Sequence, residues 1–455
     1  MATNNITYTL ADWAVSLKGA DIPQPTRYEG TRSLVNWIGC AIGGSQHDAV
    51  MRALAAVTQF SGPRQATVLG RPEMLDELYS ALLNGISSHV LDYDDTHLQT
   101  IIHPAGPVAA ALIPFAETRN ISGSDLLTAF IVGMEVECRI GNCVYPDHYD
   151  RGWHITATAG VFGAAAAVGR LLGLNPREMS WAFGLAATQS SGLREMFGTM
   201  TKSFHPGRAA QSGMLAAILA KAGFDSSERA IEAPRGFANV MSTKQDYSRI
   251  VDGLGIEWEA ATNTYKPFAC GIVLHPAIDA CSQIREDLNN KPLAVQKIEL
   301  RVNPLVLELT GIRNPTTGLE GKFSVYHAVA YALIYGGGSP EAFTDKAVND
   351  PSVVALRDRV TASVDPAIHE ASVKVLVHLE NGGVVKKDIE HAIGSLERPL
   401  SDEQINDKFL RQSSEILGQN RAEEALKLAW AVEELDAAGK MIAQACSPIR
   451  DVATM

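Results

Sequence analysis

The chain has 455 residues, 46% of them hydrophobic and 20% charged, with a formal net charge of −12. That length supports two or three domains with sizeable cores, and the composition is that of a globular rather than a disordered protein. The acidic balance argues against nucleic acid or an anionic membrane surface as partner, because both are bound through basic patches.

The N-terminal MATNNITYTLADW has neither a basic segment nor an apolar run, and no apolar run reaches the roughly 18 residues needed to span a bilayer. The expectation is a soluble cytoplasmic protein, with mitochondrial residence the alternative if the source is eukaryotic. Six cysteines are scattered and never form CxxC, which disfavours a disulfide framework, a zinc ribbon or a cysteine-ligated cluster.

From about residue 8 to 265 the text is helical and rich in Ala, Gly and Leu. Helices are predicted over Ser33–Ile42, Asp48–Gln59, 73–91, Val108–Ala116, Leu126–Val144, Ala157–Leu172 and Ala209–Ala222. Small residues such as Gly160, Gly163 and Ala164 through Ala167 let such helices approach closely. After about residue 268 the character changes. Ala294–Val302 and Ala371–His378 alternate apolar and polar residues, and Glu380-Asn381-Gly382-Gly383 is a turn signal leading into Val384–Ile389. At least three antiparallel strands follow, with a helix over Gly321–Tyr335 between them. Ser401 and Gln404 form a capping box for renewed helices through about 446. The predicted fold is mainly α with an α+β lid: residues 1–267 and 396–455 form the helical domain and 268–395 the inserted lid. Ligand sites favour such junctions.

The stretch Leu91–Pro104 packs Asp92, Asp94, Asp95, Thr96, His97 and His103 just beyond a predicted helix C-terminus. That end already carries partial negative charge, so carboxylates there lose roughly 0.3–1 kcal/mol each, and a local rule broken in this way points to function. His-Pro occurs at 103, 205 and 275, each time ahead of a small-residue helical pattern, and His154 stands in the same relation to its helix. Backbone N–H groups at a helix start favour an anion and disfavour imidazolium, which keeps such a His neutral. Lys202 and Lys266 stand beside two of these starts and would supply a cationic island for a polycarboxylate, with Arg194 and Arg208 as weaker candidates. His89, His369, His378 and His391 are assigned to structure. A divalent metal at the Asp cluster with His97 and His103 is the alternative reading.

The segments NGISSHVLDYDDTH…HPAG, GWHITATAGVFGAA, FGTMTKSFHPGRAAQSG, KPFACGIVLHP and GKFSVYHAVAYAL together resemble the MmgE/PrpD family over nearly the whole chain. The resemblance implies a helical domain with a smaller lid, an active site between them, a homodimer, and no metal or organic cofactor. It implies a lyase acting on a small di- or tricarboxylate, dehydrating a citrate-like or decarboxylating an aconitate-like acid, by proton transfer at a carbon next to a carboxylate. An epimerase of a dicarboxylate such as iminodisuccinate and a non-catalytic carboxylate-binding protein are the alternatives. The catalytic residues it implies are His103, His154, Asp92, Lys266 and His275, and the substrate contacts Thr96, Lys202, Tyr326, His327 and Arg194. Two departures from the family pattern stand out: the Thr96 to His103 spacing is one residue longer, and His327, after Tyr326, stands where a Tyr is usual.

Overall fold

The structure, a computed structural model, describes residues 5–288 and 294–448; residues 1–4 of the N-terminal stretch lie outside it. The chain is mainly α-helical with one small mixed sheet. Among the described residues no helix is long and apolar enough to cross a membrane.

The helices fall where the apolar periodicity places them, several running further than expected: Ser33–Ile42 lies within Gln24–Gly44 and Val108–Ala116 within Ala105–Glu117. Ser122 caps Gly123–Val144 and Asn175 closes a capping box on Pro176–Ala187. The helix expected over 73–91 runs Glu77–Val90, because Met74–Leu75 pairs with Ala66–Thr67 as a short strand and Asp76 accepts from the N–H groups of Leu78 and Tyr79. The helix expected to start after His205-Pro206 instead spans Met200–Lys221 and carries Pro206 inside it. Thr199 caps it earlier, and the segment around the proline is pressed against the Glu77–Val90 helix. There the two backbones touch. A Cβ at Gly207 would stand 2.3 Å from the Leu82 carbonyl oxygen, and one at Gly85 would stand 2.4 Å from Gly207 Cα. This crossing brings the end of the first helix, with His89 and Asp92, against Lys202 and His205 on the second.

The helix Asp402–Leu417, opened by the Ser401/Gln404 capping box, packs on the helix Gln24–Gly44. The two ends of the chain thus share one apolar core, with Trp37, Leu34, Ile38, Ile405 and Phe409 all buried.

The sheet has four strands, the three read from the sequence as a minimum and one more. Their order is Val360–Val364, Val295–Val302, Val373–Leu379, Val384–Ile389, the first pair parallel and the others antiparallel. Val360–Val364 is an edge strand in which only Val360 is buried, so it lacks the alternation that marks its neighbours. The face carrying Ile298, Leu300, Val375 and Val377 packs on His275–Asp287 and Val325–Tyr335. A further strand pair, Asp95–His97 with Asn263–Tyr265, sets Thr96 opposite Thr264 and brings Lys266 beside the Asp cluster.

Gly207→Ala should lower stability by about 3 kcal/mol, at the upper end for overpacking because the methyl meets backbone; a urea melt checks this, and an unchanged midpoint would show that the two helices separate freely.

Candidate active site

Asp92 lies just past the end of the Glu77–Val90 helix in a left-handed conformation, φ 51°, that a residue other than glycine rarely adopts. Its Oδ1 accepts from Lys266 Nζ at 2.5 Å and its Oδ2 from Lys202 Nζ at 2.7 Å. All three side chains are buried. Burial pushes the Asp92 carboxyl up, but the two ammonium groups outweigh it and hold it well below the usual carboxylate range. Burial also works against the charge on Lys266, which Asp92 and Asp94 overcome, so its pKa is raised. Lys202, desolvated and facing Lys266, is lowered despite its contact with Asp92.

Two further lysines close the same cluster. Lys322 Nζ donates to the carbonyls of Leu91 and Ala269 at 2.6 and 2.8 Å, and Lys408 Nζ to those of Tyr93 and Lys266 at 2.6 and 2.9 Å. Burial brings each down to about 8. Neither was anticipated. Lys408 could have been: it falls on the Ile405/Phe409/Gln412 stripe of its helix, where a lysine is out of place unless it reaches a buried acceptor.

The imidazoles stand beside the lysines. His103 Nδ1 is 2.6 Å from the Asp95 carbonyl oxygen, which can only accept, so Nδ1 carries the proton and Nε2 is left as a lone pair; Thr96 Oγ1 is 3.3 Å from the same nitrogen. Burial brings His103 down to about 3, with Asp94 opposing. His154 precedes the first turn of Ile155–Leu171, and its Nδ1 shares one proton with Nδ1 of His205 at 2.8 Å. Burial and His205 hold His154 well below its ordinary value.

His89, assigned from sequence to structure, is buried, with its Nδ1 2.6 Å from Asp94 Oδ2, and ring nitrogens of His89, His103 and His154 lie within 4.8 Å of one another. Three imidazoles gathered in this way could close on a metal ion, although Lys202 and Lys266 place two ammonium groups in the same cluster. His97 takes no part, being hydrogen-bonded to Thr100 Oγ1 and Glu259 Oε2 at 2.7 and 2.9 Å.

Asp92, His103, His154, Lys202 and Lys266 line one cavity of about 40 Å³, walled by Ile101, Tyr149 and Phe197 from the helical part and by Gly271, Ile272, Val273, Thr310 and Phe323 from the sheet-bearing part. Thr96 stands behind His103 rather than on the wall. His275 lines the adjoining cavity. Arg194 sits behind Tyr149, donating to its carbonyl at 2.9 Å and pairing with Glu308 at 2.9 Å. Tyr326 lies under the Arg313 guanidinium at 4.2 Å, and His327 Nε2 donates to the Ala342 carbonyl at 2.8 Å while its ring packs edge-on against Phe343. Neither Tyr326 nor His327 lines the lysine-bearing cavity, because Ser324 caps the Val325–Tyr335 helix and its first turn points into the sheet-bearing core.

Asp92→Asn leaves two buried ammonium groups with no carboxylate between them and should cost about 3–5 kcal/mol; denaturant unfolding measures it, and a loss under 1 kcal/mol would mean the lysines find other counter-charges. A pH effect follows from the imidazoles. Burial lowers His103 and His275 to about 3 and His148, His205 and His327 to about 4. Below about 6.5 the unfolded chain therefore binds protons that the folded one refuses, and stability falls as pH drops. Asp95 and Glu135, raised to about 7 chiefly by burial, and Glu137, also raised, run the opposite way and offset part of the loss. The melting temperature should decline between pH 6.5 and 5; a flat or rising profile in differential scanning fluorimetry would contradict this balance.

Two family models match the chain: MmgE/PrpD N-terminal domain over residues 8–250 and MmgE/PrpD C-terminal domain over residues 268–434. Cis-aconitate decarboxylase of Aspergillus terreus is 26% identical over 95% of this chain and 94% of its own length. The human cis-aconitate decarboxylase is 25% identical over 96% and 93%, and 2-methylcitrate dehydratase of Escherichia coli (strain K12) is 22% identical over 73% and 72%. With both halves matched in order, the chain belongs to the MmgE/PrpD family.

Proposed function

We propose that the protein is a lyase acting on a small di- or tricarboxylate by acid–base chemistry at a carbon next to a carboxylate, without a cofactor. The relatives named as decarboxylases and a dehydratase support the reaction class. The observation that carries the reading is the Lys202–Asp92–Lys266 cluster opening onto the same cavity as His103 and His154. An ammonium bound to Asp92 keeps hydrogen-bond donors for a substrate carboxylate, and its charge stabilises the enolate-like state that forms when a neighbouring carbon loses a proton or a carboxylate. Asp92 holds both lysines charged and in place; it is not needed as a base.

His103 is the group proposed to move the proton. Its Nδ1–H is anchored on the Asp95 carbonyl, so Nε2 accepts a proton without losing the anchor. In the free protein its basicity is suppressed by burial, and an anionic substrate beside it raises the imidazole toward the neutral range where transfer is efficient. His154, coupled to His205, is the candidate for proton transfer to the leaving or departing group. The proposal carries with it a homodimer and the division into a helical domain and lid at residues 268–395.

Incubation with citrate, 2-methylcitrate and cis-aconitate in D2O, followed by NMR and mass spectrometry, should show loss of water or of CO2. Deuterium uptake without loss of either would replace the lyase with an epimerase, and binding without exchange would leave only a carboxylate-binding protein. His103→Gln should lower kcat at least 100-fold while leaving the melting temperature within a few degrees; an unchanged kcat removes His103 from the chemistry.

A further inference from the structure

The lysine-bearing cavity shares a wall with a second, larger one. Ile101, Ile272 and Val273 line both, and the second cavity has a volume of about 310 Å³ against about 40 Å³ for the first. That size lies at the lower end of the roughly 300–1,000 Å³ typical of ligand pockets, which are mostly apolar with a few placed polar groups. Leu305 adds to its apolar wall, and Leu396, 46% exposed, stands at the solvent side. His275 also lines it, is 2% exposed, and has a buried Nε2 without a hydrogen-bond partner among the described residues.

The dividing wall is itself unusual. Ile101 has φ 59°, in the left-handed region that a β-branched residue adopts only when its surroundings force it. Together with Asp92 it is one of two non-glycine residues with positive φ among those described, and both line the lysine-bearing cavity. Backbone held in this way gathers at ligand sites.

Charge decides which end of a ligand goes where. The outer cavity is lined by Glu370 and Glu397, the latter 3.3 Å from His391 Nδ1, and among the described residues no lysine or arginine lines it. A carboxylate there would meet like charge, whereas the inner cavity offers Lys202 and Lys266. We propose that the outer cavity is a subsite for the alkyl substituent of an extended carboxylic acid, whose carboxylate head lies on Lys202 and Lys266, with Ile101, Ile272 and Val273 flanking the passage from one cavity to the other and Leu305 and Leu396 bounding the tail. The proposal rests on the carboxylate reading of the inner cavity and names the substrate class as di- or tricarboxylates bearing an alkyl chain of several carbons.

The test compares succinate with 2-hexylsuccinate by isothermal titration calorimetry on the intact protein, then repeats both with Leu305→Trp and Leu396→Trp. Each buried methylene is worth about fourfold in affinity. The hexyl compound should therefore bind at least tenfold more tightly than succinate. Either tryptophan should cut that gain below twofold and leave succinate binding unchanged; Leu396 is partly exposed, so its replacement does not depend on the core. Equal affinities in the wild type, or a gain that survives both substitutions, overturns the subsite. Succinate binding without a gain overturns the subsite and leaves the lyase reading intact. A tail-dependent gain with no turnover of any acid retains the subsite and overturns the lyase. Failure of both acids to bind removes both.

Discussion

Asp92 held between Lys202 and Lys266 is the contact on which the site depends. The end of a helix, the carboxylates of Asp92, Asp94 and Asp95, and the inward carbonyls of Leu91 and Tyr93 gather in a place where burial penalises every one of them. Isolated, such a turn would not stay folded. Two lysines satisfy the Asp92 carboxylate and two more satisfy the carbonyls on either side of it. These lysines come from four distant parts of the chain, so the acidic turn forms only when the whole fold has assembled around it. The pair energies are the smaller part of the matter; removing any one partner leaves a charge or a polar group dry, and that asymmetry makes the arrangement specific.

The same requirement explains which residues were legible in the sequence. Asp92 stood out because a carboxylate at a helix C-terminus breaks a local rule, His103 and His154 because they stand at helix starts, and Lys202 and Lys266 because they lie beside such starts; all five line one cavity. The helices were legible because small and apolar residues recur at helical spacing. His89 lies on the buried stripe of its helix, as its spacing places it, and that stripe runs on toward the site, where Asp94 receives its imidazole. Periodicity reports burial, not what the buried group faces. Tyr326 and His327 were placed near substrate by family likeness, yet Lys322, in the turn before them, is the residue of that segment that reaches the acidic turn. The strand Val360–Val364 and the backbone contact at Gly85 and Gly207 were not legible, since only Val360 of that strand is buried and a glycine does not announce which backbone approaches it.

Neither half of the molecule encloses the cavity alone. The helical part supplies Asp92, His103, His154 and Lys202, while the sheet-bearing part supplies Gly271, Val273, Thr310 and Phe323 as the facing wall. Phe197 and Phe323, one from each side, stack with centroids 5.6 Å apart, and both rings lie within 5.3 Å of Lys202 Nζ. That ammonium is thereby shared between a carboxylate and two aromatic faces. A cavity of about 40 Å³ has room for only a few waters, so any acid large enough to span Lys202 and His103 must move a wall. The candidates are the aromatic pair at the seam and the Ile101 wall toward the larger cavity. The aromatic pair gives up ring stacking and cation–π contact when it parts, whereas Ile101 already sits in a conformation its side chain resists. Of the two, the Ile101 side is the one whose displacement relieves strain, which favours it as the wall that yields when a ligand enters.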